Sequence, residues 1–132
     1  MREDISINVR RSKLGRARGV GAGHSGVEHW RVERITSIAL VPLTLWFIYA
    51  MLHLVGAPQV AVAAWASNPI NTVLLLVLIV ITFHHMHLGL QVVFEDYVAN
   101  KWQMTLMILG AKSVSLVLGL LASVAVLKLA LS

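Results

Sequence analysis

Polar and apolar positions in this chain do not alternate; they separate into blocks. From Ile35 to Val55 no residue carries a formal charge, and one histidine, His53, stands near the end of the run. A second apolar block opens after Asn68-Pro69 and extends over about residues 70–94. A third covers about residues 103–131 and is interrupted by Lys112. Roughly 20 helical residues, rising 1.5 Å each, cross the ~30 Å hydrocarbon core of a bilayer. Lipid offers no hydrogen bonds, so runs of this kind fold as helices that satisfy their own backbone. Three membrane-spanning helices are therefore predicted, at 35–55, 70–94 and 103–131. Pro69 suits the first turn of the second, and Pro42 is a candidate bend in the first. The linkers are short: Gly56–Asn68, with a Gly and a Pro, and Glu95–Trp102. No internal repeat is visible, which disfavours an inverted-repeat transporter.

Composition agrees with an all-α membrane protein of one small domain. Of 132 residues, 58% are hydrophobic and 13% charged, with a mean hydropathy of +0.77; a soluble domain carries about 25% charged residues. Charge is concentrated at one end. Eight of the eleven Lys and Arg (Arg2, Arg10, Arg11, Lys13, Arg16, Arg18, Arg31 and Arg34) precede the first span, whereas the Gly56–Asn68 linker has no charge. This places the N-terminus in the cytoplasm or mitochondrial matrix and the C-terminus outside. Residues 1–34 read as a basic cytoplasmic segment and 35–132 as a three-helix anchor domain. Trp30 and Trp102 are expected at the inner interface and Trp65 at the outer one. The pI near 10.3 would suit nucleic acid, but a basic head followed by apolar blocks points to anionic lipid instead. A cleavable signal peptide is disfavoured, because its apolar core is only 7–15 residues long and its basic lead much shorter than this one. The absence of Cys excludes thiolate and iron–sulfur chemistry from this chain.

Ionisable groups inside a membrane are costly and so are functional candidates. The second span carries His84, His85 and His87. At about 100° per residue, His84 lies about 100° and His87 about 200° from His85, so the three cannot share one face. The cluster is not a single-faced metal site, which needs spacing such as i, i+4. His85 has Gly89 one turn further along its own face. That pair supplies an imidazole beside a missing side chain, which a porphyrin lying against the helix would need. A histidine hydrogen-bonded to a neighbouring helix is the alternative, and it is the favoured reading for His84 and His87. His53 lies about 27 Å from the inner end of span one, against about 14 Å for His85 in span two. A second axial ligand would thus come from another chain.

Glu95-Asp96-Tyr97 closes the second span, with Tyr97 about 18 Å along the helix from His85. A phenol beside a carboxylate at the membrane surface can hydrogen-bond a quinone carbonyl and relay a proton; a solvated helix end is the alternative. Arg34 opens span one at that same inner level and can pair with a haem propionate or a lipid phosphate. Lys112 can snorkel or meet a partner.

Two stretches carry a resemblance. Gly26-Val27-Glu28-His29-Trp30-Arg31-Val32-Glu33-Arg34-Ile35-Thr36-Ser37-Ile38-Ala39 resembles the start of the first helix in the small hydrophobic membrane anchor subunit of succinate dehydrogenase (complex II). His85-x-His87-Leu88-Gly89-Leu90-Gln91-Val92-x-x-x-Asp96-Tyr97-Val98 is similar to the second-helix pattern H-x-x-x-G-x-x-x-x-x-x-D-Y of that family, in its alphaproteobacterial or mitochondrial form. The resemblance covers about residues 20–132. It implies that His85 is an axial ligand of haem b, with the other ligand on a companion cytochrome b subunit. It implies further that Tyr97 binds ubiquinone, that Asp96 supports Tyr97 and the proton path, and that Arg34 lies near the haem propionates. His84 and His87 are extra to the bare pattern. The chain itself would be a non-catalytic subunit. A flavoprotein oxidises succinate, an iron–sulfur subunit relays the electrons, and quinone is reduced where that subunit meets the two anchors. The implied location is a bacterial inner membrane before a mitochondrial one. Two other readings stay open: a small proton-coupled helical transporter using the histidines, and a purely structural anchor.

Overall fold

The computed structural model describes residues 23–132, with side chains from residue 26 onward. Four helices follow one another: α1 (Gly23–Leu54), α2 (Gln59–Ala66), α3 (Pro69–Tyr97) and α4 (Lys101–Ala130). There is no strand among the described residues. Arg2, Arg10, Arg11, Lys13, Arg16 and Arg18 lie outside them. Two units are distinguishable, one ending at Arg31 and one running from Val32 to Ser132. The second contains the rest of α1 and all of α2, α3 and α4.

α1, α3 and α4 contain 32, 29 and 30 residues, about 44–48 Å each at 1.5 Å per residue. All three are long and apolar enough to cross a membrane. Among the described residues only Ala50, Ala66, Leu75 and Leu88 are buried apolar side chains, and more than thirty large ones are exposed. A bundle in water could not leave so much apolar surface bare. Lipid or other polypeptides must cover it.

The two later spans lie close to expectation. α3 opens on Pro69 and extends three residues beyond the expected end, and α4 runs over Lys101–Ala130. Two elements differ. α1 begins at Gly23, well before Ile35, because nothing in Gly26–Arg34 breaks a helix and its Glu, Arg and Val residues tolerate one. The linker between the first two spans contains a helix of its own, the eight-residue α2.

Local chemistry sets the corners. Gly56 takes a left-handed φ of +77° just past the end of α1, a conformation glycine adopts without steric cost. Pro58 precedes α2. Asn68 caps α3, its Oδ1 accepting from the Ile70 N–H at 3.0 Å. Asn71 Nδ2 donates to the Trp65 carbonyl at 2.9 Å, and the Thr72 hydroxyl donates to the Ala66 carbonyl at 2.6 Å, so the end of α2 is fastened to the first turn of α3. Trp65 stacks on Trp46 of α1, with ring centroids 5.8 Å apart. Asn100 caps α4 in the same way, accepting from the Trp102 N–H at 3.0 Å. α3 and α4 form the most extensive helix pair. They approach closely at Gly119, where an added Cβ would stand 3.4 Å from the Phe83 ring; small residues permit such approaches in membranes.

Candidate functional site

The three histidines of α3 face different neighbours. His85 reaches toward α1, where its Nδ1 lies 2.9 Å from the hydroxyl of Thr36. Thr36 is 9% exposed. Its hydroxyl is also 2.8 Å from the Val32 carbonyl and 2.9 Å from that of Glu33. The other ring nitrogen of His85, Nε2, makes no hydrogen bond among the described residues and is not occluded. One turn onward, nothing lies within 4 Å of the position a Gly89 Cβ would take. His84 and His87 instead meet each other edge to face, with ring centroids 4.9 Å apart.

That second pair belongs to the seam with α4. A cavity of about 460 Å³ opens there, bordered by Phe83, His84, His87, Lys112, Ser115 and Gly119. The Ser115 hydroxyl is fully occluded and unpartnered, so it is not presented to a ligand in this arrangement. Lys112 is exposed. No group of three or more His, Asp or Glu side chains placed to hold a metal ion occurs among the described residues.

The remaining sequence candidates take their places along α1 and α3. α3 is helical through Tyr97, so twelve residues do separate His85 from Tyr97, about 18 Å along the axis. Tyr97 is 84% exposed at the end of the helix, and Asp96 is exposed beside it. Glu95 is engaged by Gln91, whose Nε2 donates to Oε1 at 2.8 Å. Arg34 precedes Thr36 by two residues, about 3 Å along α1, and Thr36 is the residue that meets His85. α1 begins at Gly23, so Arg34 and Ile35 are interior to the helix and not its first residues. His53 is seventeen residues beyond Thr36, about 26 Å away along α1, and its Nδ1 lies 2.9 Å from the Tyr49 carbonyl. It cannot share one haem with His85.

Sequence reasoning missed Thr36. The residue stood inside the first-helix stretch that carried the resemblance, but a threonine near a membrane helix end has no local signature. Its role follows only from a partner 49 residues away.

The residues fit half of a haem site. One imidazole is held by one nitrogen, the other nitrogen is accessible, and the helix surface a turn away is bare of side chain. A single chain presents one such nitrogen, so a six-coordinate haem would need a second polypeptide.

The fold defines a helical membrane protein with three helices able to span a bilayer and with large apolar faces exposed among the described residues. A family model described as succinate dehydrogenase/fumarate reductase transmembrane subunit matches residues 8–127, and the chain belongs to that family as a membrane anchor. It is 38% identical over 100 residues to the succinate dehydrogenase hydrophobic membrane anchor subunit of Rickettsia bellii, covering 74% of this chain and 79% of the relative. It is 34% identical over 101 residues to the Rickettsia conorii subunit of the same name, covering 75% and 80%. The subunit from Paracoccus denitrificans is 24% identical over 81 residues, covering 61% and 63%. No solved structure matches. The family read from His85 to Tyr97 is thus borne out.

Proposed function

We propose that this chain is the small anchor of a bacterial succinate:quinone oxidoreductase, holding one side of haem b and one wall of the ubiquinone pocket. The observation that carries the reading is the His85 ring: Nδ1 lies 2.9 Å from the Thr36 hydroxyl, Nε2 makes no hydrogen bond among the described residues, and the position of a Gly89 Cβ one turn along α3 is open. Haem b bound there would supply a one-electron store. His85 would offer Nε2 to the iron, Gly89 would leave room for the ring, and Arg34 would pair with a propionate. A companion cytochrome b subunit would supply the other iron ligand.

Ubiquinone is a substrate and takes two electrons and two protons. The electrons arrive from an iron–sulfur subunit, which receives them from a flavoprotein that oxidises succinate. Tyr97 donates a hydrogen bond to a quinone carbonyl, polarising it toward reduction, and Asp96 passes protons from water at the membrane surface. The basic charge of the N-terminal segment favours a cytoplasmic side for it, where it would meet the soluble subunits or anionic lipid. The full complex in mild detergent tests this reading. A reduced-minus-oxidised b-type band that disappears in His85→Leu supports it; a colourless complex, or a band that survives the substitution, overturns it.

A further inference from the structure

We infer that Thr36 is a positioning residue for His85, fixing which ring nitrogen carries the proton and so which one is available to iron. The inference rests on the haem reading above and adds a residue to it.

The argument is one of hydrogen-bond bookkeeping. A threonine hydroxyl has one proton to give and two lone pairs with which to accept. Three polar atoms stand around Thr36 Oγ1: the carbonyl oxygens of Val32 and Glu33, at 2.8 and 2.9 Å, and His85 Nδ1, at 2.9 Å. Carbonyl oxygens only accept, so the hydroxyl proton goes to them, shared between the two in the manner usual for a helical threonine. Oγ1 is then left with lone pairs toward His85, and the proton of that contact must come from Nδ1. His85 is accordingly the Nδ1–H tautomer, with its free lone pair on Nε2. That is the nitrogen that makes no hydrogen bond among the described residues and is not fully occluded. The opposite tautomer would set two lone pairs against each other or take the hydroxyl proton from both carbonyls.

The relay runs from the α1 backbone through the Thr36 hydroxyl to the imidazole, and each part has a task. The backbone carbonyls orient the hydroxyl, and Thr36 is buried, so water does not compete for the bond. A ligating histidine whose other N–H donates to an acceptor is held in one orientation and is a more basic ligand. Thr36 thus anchors the ring against rotation and increases its donation to the metal. More donation favours ferric over ferrous iron, so the contact lowers the reduction potential of the haem.

The test uses the intact complex in native membranes and compares Thr36→Val with Thr36→Ser. Valine keeps the shape and removes the acceptor, whereas serine keeps the hydroxyl and removes the methyl. The readouts are the midpoint potential from redox titration of the b-type band, the low-spin EPR g-values, and the rate of haem loss to a scavenger. Thr36→Val is expected to raise the potential, shift the g-values and weaken haem retention about 10- to 100-fold, the usual scale for removing such a partner. Thr36→Ser is expected to match the unsubstituted complex in all three. If valine destabilises assembly, recovery of both assembly and potential by serine still supports the inference. Valine and serine acting alike, or a normal His85-dependent band with an unchanged potential in Thr36→Val, overturns it and leaves the haem reading standing. A complex with no haem band removes both.

Discussion

The two faces of α3 make an instructive pair. On one, His85 crosses to α1 and spends a single ring nitrogen on Thr36. On the other, His84 and His87 turn to each other and, with Lys112, border the seam with α4. The residues are almost adjacent in sequence, and one step of about 100° around the helix separates the environments. Nitrogen count in a membrane is therefore a poor guide to a site. What distinguishes His85 is that its side-chain contact runs to a different helix, α1, and not to another histidine of α3.

Substitutions can break that contrast or sharpen it. The largest effect is expected from His85→Leu, which should remove the b-type absorption band entirely, while His84→Leu and His87→Leu retain it; loss of the band in either of those two would transfer the ligand role. Next comes Tyr97→Phe. Losing one hydrogen bond to the substrate is expected to lower kcat/KM for quinone about tenfold or more, with the haem spectrum unaltered. Gly89→Leu is the cleanest probe of the open face. Nothing within 4 Å opposes a side chain there, and the helix gains about 0.8 kcal/mol of intrinsic propensity. Haem occupancy should nevertheless fall about tenfold, equivalent to about 1.4 kcal/mol; a fully haem-loaded variant would show that no flat group lies against Gly89. On the opposite face, Gly119→Leu should push Phe83 aside and cost about 1–3 kcal/mol of helix pairing, measured by thermal stability in detergent with the haem spectrum unchanged. The smallest effect is expected for Lys112→Met, which should alter neither the haem band nor quinone turnover.

Much of this was legible in the sequence, for identifiable reasons. Long apolar blocks, the second opening at Asn68-Pro69, report where helices able to cross lipid lie, because length and composition are local properties. The separation of His85 from His84 and His87 followed from helical geometry alone. Helix pairing was less legible. A membrane helix is apolar all round, so no hydrophobic stripe announces which side meets which neighbour. Hence the contact between Thr36 and His85 was not visible in the sequence. The short α2 was hidden for a related reason. Eight residues, seven of them apolar, between a Gly-Ala-Pro turn and an Asn-Pro cap are too few for a span, and no charge marks them as a helix.

The corner between α2 and α3 has a bearing on how the chain is made. Asn68, Asn71 and Thr72 form bonds that all join residues no more than six apart. Such an elbow can close as soon as that stretch leaves the ribosome, without waiting for haem or for any other polypeptide. The first turn of α3 would then already be set against the end of α2 before α4 is made.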